Sequence, residues 1–392
     1  MAGRVELSVA GGILGSEDAR VVRKGHSSFA VELASSRGLP ACPNMLQFQL
    51  FGAAAAAVEV EVSFAHPQPK GLFDEYHHAA TPDFETFRLL AWEAAPNGHS
   101  NRLHIPATGW DSFAVGMQLP MPNEVLSTFV ARWARHPDVR VDTLGYSLFG
   151  RPIWRVTVGG HPGASPRWRH CVANFHPGEG NARWRLAGMV EWLLGEHAAG
   201  ARRDGVVEFF PLLSPDGPAN GWRRVNAEGV DMNRCFRMEG ARPGEQTHEA
   251  YLFQKHMEAA QAADDPYHTL WCLHTWPGRV EPLMDGLGPE FGPDGADFGT
   301  FRDLLADADT SGRIEPVGIR AEPGMETSWN GGAYRRFGMT SALVEGGGDA
   351  WPVADHLQSG RDLMAAITRF WTRERFNKTG PCVGAVSALE HT

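Results

Sequence analysis

Near residue 119 the hydrophobic rhythm of the chain changes. Before it, short alternating or aliphatic segments at 4–9, 28–33, 45–51, 58–64, 87–92 and 111–117 are separated by Gly, Pro, Asn and Asp. Such period-two segments, broken by turn residues, predict strands, so residues 1–118 are expected to form an N-terminal antiparallel β-sandwich domain. After it, apolar runs alternate with stretches of helical spacing. That alternation predicts an α/β fold with a mixed, mainly parallel sheet and helices on both faces, expected over 119–378. Residues 379–392 carry little pattern and are expected to be a C-terminal tail.

Within 119–378, Val125, Leu126, Phe129, Val130 and Trp133 fall at helical spacing and predict a helix over 123–135, with Asn123 as its cap. A hairpin is expected from 139–147 and 153–158 around Gly150-Arg151-Pro152. Strands are expected at 168–175, 206–213, 269–273 and 340–344, and helices at 181–197, 246–262, 298–308 and 353–376. Function in such sheets collects at the carboxyl ends of the strands.

Charge and cysteines narrow the function classes. With 36 Lys+Arg against 46 Asp+Glu the net charge is −10, and no basic stripe is present, which argues against a dedicated nucleic-acid binder. No run of about 18 apolar residues offers a membrane span, and the first residues lack a signal-peptide core. The five cysteines include no Cys-x-x-Cys, so neither a disulfide framework nor a thiolate zinc site is expected. A cytoplasmic protein is the simplest expectation; the oligomeric state is left open.

Four strand ends carry the chemistry. His176-Pro-Gly-Glu179 lies in the turn between the strand at 168–175 and the following helix, and imidazole with carboxylate is a donor pair that Zn²⁺ accepts. Taken alone it is a weak signal, and Glu179 could simply be an acid favoured at a helix start. Residues 211–234 form a long loop rich in Gly, Pro, Asn and Arg, whose separated arginines suit a planar carboxylate and a polarised carbonyl. His274 ends the apolar strand at 269–273. Glu345 ends the strand at 340–344, and Gly346 to Gly348 allow close backbone approach.

In combination these residues resemble the zinc metallocarboxypeptidases, most closely the cytosolic carboxypeptidase-like branch, over about residues 119–375. The resemblance implies one Zn²⁺ per chain held by His176, Glu179 and His274, with Glu345 as general base. It further implies Arg224 at the scissile carbonyl, Asn233 and Arg234 on the substrate's terminal carboxylate, and Asp231 orienting the His176 imidazole. The expected activity is hydrolysis of the C-terminal peptide or isopeptide bond of a peptide or protein. Arg320, Arg335 and Arg336 are candidates for reading a terminal glutamate, and Tyr334 is a candidate for capping the substrate. Ser214 stands where the family usually has Asn. The alternatives are an amidohydrolase of N-acyl amino acids or small amides, and a non-catalytic binding protein; intact metal and base positions disfavour the latter.

Overall fold

The computed structural model describes residues 4–10, 12–65, 77–94, 100–160, 166–263, 265–276, 283–287, 298–310, 327–347 and 351–373. Nine strands before residue 118 follow one hydrogen-bonded order: Glu6–Ser8, Phe48–Phe51, Ser112–Met117, His78–Thr81, Arg88–Ala94, Asn101–Ile105, Val58–Phe64, Ser28–Leu33 and Arg20–Arg23. Alternation sets their faces: Val58, Val60 and Val62 are buried, while Glu59 between them is exposed. Phe48, Leu50 and Phe113 from one end of the order share a core with Val60, Phe29 and Val31 from the other, so the sheet folds over on itself like a sandwich. The corner is Arg88–Ala94, which pairs with His78–Ala80 through its first residues and with Asn101–His104 through its last.

One pairing departs from the expected antiparallel pattern, because Ser28–Leu33 runs parallel to Val58–Phe64. The chain between them makes a long excursion through the small hairpin of Ser35–Ser36 and Leu39–Pro43. A connection of that length permits a parallel return.

The second sheet has seven strands: β1 (Val139–Tyr146), β2 (Pro152–Gly159), β3 (Trp168–Asn174), β4 (Gly205–Phe210), β5 (Thr269–Trp276), β6 (Leu283–Leu287) and β7 (Thr340–Gly347). Its longer helices are α1 (Asn123–Trp133), α2 (Gly180–Leu194), α3 (His248–Ala262), α4 (Phe298–Ala308), α5 (Trp329–Phe337) and α6 (Val353–Trp371). The order is β1-β2-β4-β3-β5-β7-β6, with β4, β3, β5 and β7 parallel and the outer strands antiparallel. The central strands are buried on both faces, so β4 reads Gly-Val-Val-Glu-Phe-Phe and is buried at every residue. After β3 the chain passes through α2 to β4 on one side, then crosses to β5 on the other. The gap between β3 and β5 is therefore a topological switch point, the place where ligands collect in open α/β sheets.

Helix α2 is buried at every residue from Gly180 to Val190. It meets α6 backbone to backbone: Gly188 has no room for a Cβ against the Leu357 carbonyl, nor Gly360 against the Arg185 carbonyl. Several local expectations are corrected. Pro122, not Asn123, holds the cap position of α1, and Asn123 is its first helical residue with no side-chain capping bond. The helix expected to reach 197 ends at Leu194, because Gly195 turns extended before a short 3-10 turn at Glu196–Ala198. β6 and α5 had no expectation. Residues 379–392 lie outside the described residues. No helix among the described residues is long and apolar enough to cross a membrane.

The one acid inside β4, Glu208, is 1% exposed and anchors a polar cluster below the switch point. It accepts from Arg169, from Tyr267 Oη at 2.6 Å and from His256 Nε2 at 2.9 Å. Burial alone would raise its pKa, but the His256 bond and the Arg169 charge overrule this and hold it down at about 2. The ionised form thus contributes stability above the ordinary carboxylate range that is lost as pH falls from about 4.5 toward 2. Glu208→Gln should destabilise the fold by about 3 kcal/mol, since it removes the buried carboxylate that Arg169, His256 and Tyr267 all engage. In guanidinium titrations across pH 2 to 6, wild-type stability should fall more steeply with acid than the variant's.

Candidate metal centre

The turn leaving β3 brings the first two ligand candidates together. Asn174 ends the strand and donates from Nδ2 to the Leu273 carbonyl on β5, while Leu213 N donates to the Asn174 carbonyl. Glu179 holds the cap position of α2 but its side chain makes no capping bond. Its oxygens instead face two histidines, Oε1 at 2.7 Å from His176 Nδ1 and Oε2 at 2.9 Å from His274 Nδ1. The two Nδ1 atoms stand 3.1 Å apart. The reading of Glu179 as a plain helix-start acid therefore does not hold.

This donor set fits zinc. Three ligand atoms around a tetrahedral ion at about 2.0–2.1 Å would stand about 3.3 Å from one another. The observed separations of 2.7 to 3.1 Å need only slight spreading. All three residues are buried or nearly so, and they form the one His/Cys/Asp/Glu cluster of this kind among the described residues.

Surrounding groups fix each ring. His176 Nε2 bonds Asp231 Oδ1 at 3.0 Å, which leaves Nδ1 for the cluster. Asp231 also accepts from Arg224 Nε at 2.6 Å and from Asn233 N at 2.8 Å. His274 stacks on Phe175, with centroids 5.9 Å apart, and Phe175 stacks in turn on Trp329 at 5.5 Å. Glu345 on β7 is in parallel register with His274 on β5, and neighbours in register project to the same face of a sheet. Gly346 leaves space for the buried Arg185 guanidinium, which a Cβ would strike.

Electrostatics follow from these contacts. Burial alone would lower the His176 pKa, but the Glu179 charge and the Asp231 bond raise it to about 9. Burial would raise Glu179 and Asp231, yet the His176 charge and hydrogen bond hold both well below the usual carboxylate range. Burial keeps the His274 pKa low against the pull of Glu179.

The structure brings His176, Glu179, His274, Asp231, Arg224 and Asn233 into one bonded network. Arg234 is exposed, with Nη1 donating to the Asn233 carbonyl at 2.8 Å, and Asn233 Oδ1 accepts from Trp329 N at 3.4 Å. Arg336 is committed elsewhere, to Glu258 at 3.1 Å and to the Met238 carbonyl. Arg335 is exposed, Tyr334 is half-buried, and Arg320 lies outside the described residues. Sequence reasoning missed Arg183, which is buried and donates from Nε to the Met121 carbonyl at 2.9 Å and from Nη1 to Asn174 Oδ1 at 3.3 Å. It also missed Asp216, whose carboxylate holds Ser147, Phe149 N and Arg151 of the β1–β2 hairpin.

Comparison with known proteins agrees with this geometry. The family model described as zinc carboxypeptidase matches residues 125–268, a span that includes His176, Glu179, Arg224, Asp231, Asn233 and Arg234. Residues 125–268 thus match a zinc carboxypeptidase domain. Over 107 residues it is 33% identical to human cytosolic carboxypeptidase 4 and 39% identical to human cytosolic carboxypeptidase 1, covering 24% of this chain in each case. It spans only 10% and 9% of those proteins' lengths. An uncharacterized protein of Zymomonas mobilis is 33% identical over 217 residues, 54% of each chain. A metallo-carboxypeptidase from Burkholderia cenocepacia superposes with a TM-score of 0.75 at 18% identity, covering 93% of this chain and 98% of that one. A metallo-carboxypeptidase from Pseudomonas aeruginosa gives 0.75 at 16% identity with the same coverage. At these identities the two structures show a shared fold, one that includes the N-terminal sheet.

Because the Glu179 charge and the Asp231 bond favour the protonated His176 imidazole in the metal-free site, zinc uptake is expected to displace that proton. Calorimetric zinc titration at pH 7 in buffers of different ionisation enthalpy should show about one proton released per zinc. His176→Ala should abolish that release.

Proposed function

We propose that the protein is a zinc-dependent metallocarboxypeptidase that removes the last residue from a peptide or protein by cleaving a peptide or isopeptide bond next to a free carboxylate. The observation that carries this reading is the convergence of His176, Glu179 and His274 at the switch point, with Glu345 in register beside His274. His176, Glu179 and His274 would hold Zn²⁺, which when bound acts as a Lewis acid and lowers the pKa of water toward about 7.

The chain's own groups do the rest. The Glu345 carboxylate takes the proton of the attacking water and returns it to the departing amine. Arg224, whose Nε is held by Asp231, turns its remaining donors toward the carbonyl oxygen as charge develops there, an effect worth a few kcal/mol in comparable sites. Asn233 and the exposed Arg234 fix the terminal carboxylate and so restrict cleavage to the last residue. Asp231 keeps Nε2 of His176 engaged so that Nδ1 stays a ligand. Arg336 is bound to Glu258, which weighs against its reading a terminal glutamate. The cytosolic setting named for the human relatives is part of the same proposal.

Purified protein should contain about one zinc, and Glu345→Gln should keep it while slowing hydrolysis by about 10³-fold, read by steady-state assay on peptides. Arg234→Ala should raise KM for free-carboxylate substrates, and C-terminally amidated peptides should resist cleavage. A zinc-free wild type, or equal rates on amidated peptides, would overturn the assignment.

A further inference from the structure

The loop that carries Arg224 and Asp231 is held from outside its own sheet. Pro218, Asn220 and Gly221 offer their carbonyls to Gly15 N at 3.4 Å, Glu17 N at 2.7 Å and Met45 N at 2.6 Å, and the Ala227 carbonyl accepts from Arg37 Nη1 at 3.3 Å. Trp222, fully buried, donates from Nε1 to Glu17 Oε2 at 2.6 Å. Arg37 lies over the same indole, 5.3 Å from its centroid, and pairs with Glu17 Oε1 at 2.8 Å. One carboxylate thus grips both the buried ring and the cation that covers it. Farther along, Gly229 has φ +76° and no room for a Cβ, which would sit 2.7 Å from the Arg37 carbonyl. On its other side the loop meets the metal turn, where Gly178 N donates to the Arg223 carbonyl at 2.8 Å.

We propose that Glu17, acting with Arg37 through Trp222 and Ala227, is a positioning residue that sets the Arg224 guanidinium against the reacting carbonyl. The inference rests on the role given to Arg224 above. Trp222 is two residues from Arg224, so a shift of the indole is passed directly to the arginine, and small misplacements of a catalytic group are costly in rate. Glu17 and Arg37 are themselves partly exposed, so their pairing adds little to stability. Its effect should appear in turnover.

The test compares wild type, Glu17→Ala, Glu17→Gln, Arg37→Ala, Arg224→Ala and the double variant Glu17→Ala/Arg224→Ala by kinetics, zinc content and hydrogen exchange. Glu17→Ala should lower kcat about ten-fold or more with KM within about two-fold, retain its zinc, and speed exchange at the 226–231 amides. Glu17→Gln keeps an acceptor for the indole and should recover part of the loss. Combined with Arg224→Ala, the Glu17 change should cost nothing further, because both act through one group. Arg37→Ala, at a half-exposed position, gives the same reading should Glu17→Ala fail to fold. Full kcat in these variants, a loss that multiplies with that of Arg224→Ala, or unchanged exchange at 226–231 overturns the positioning role while leaving the proposed function standing. An inactive wild type overturns both.

Discussion

The bond between His176 Nε2 and Asp231 Oδ1 decides what the centre can be. Imidazole has two nitrogens, and engaging one of them in a carboxylate bond commits the other to the opposite side of the ring. Here that other nitrogen meets Glu179 and His274. Asp231 is 55 residues from His176 in sequence, on a loop that returns across the end of β4. The metal turn and the arginine loop are therefore one unit: Asp231 holds the ring with one oxygen and Arg224 with the other. Built in this way, the centre cannot place His176 without also placing Arg224.

Behind that unit the sheet supplies rigidity by unusual means. Arg183 and Arg185, one turn inside α2, are 3% and 0% exposed. Arg183 reaches back to the strand end that precedes His176, and Arg185 lies over Gly346 and donates to Ser359 at 3.2 Å. Burial lowers the Arg183 pKa to about 10, with the Glu179 charge opposing, so it stays a cation at neutral pH. Its charge offsets part of the negative charge that Glu179 and Asp231 bring to a buried space. The aromatic stack of Trp329, Phe175 and His274 does the corresponding work for the second histidine without any charge.

Much of this was legible in the chain, for identifiable reasons. The runs at β3, β4, β5 and β7 stand out because strands buried on both faces are mostly apolar, with only scattered polar residues such as Glu208 in β4, and their ends marked His176, His274 and Glu345. The buried arginines were not legible, because a helix buried all round loses the amphipathic period that separates core from surface. Helix α5 was hidden by Asn330, Gly331 and Gly332, poor helix formers that the fold accepts because Gly332 must pass the Phe236 ring. The parallel pairing of Ser28–Leu33 could not be read from alternation, which is the same for either direction. Arg336 looked like a substrate reader only while Glu258 was not beside it.

The two sheets meet through the same accounting of backbone groups. A loop as long as 211–231 leaves many carbonyls without partners in its own sheet, and buried ones must be satisfied. Here donors from residues 15–45 satisfy them, and Leu119 N and the Gln118 amide bind Asn181 at the start of α2. Loops of the N-terminal region therefore contact the 211–231 loop, and the residues just after its last strand contact the start of α2. A metal turn at a strand end could be built by the second sheet alone. The long loop that carries Arg224 and Asp231 is held by donors from the N-terminal residues.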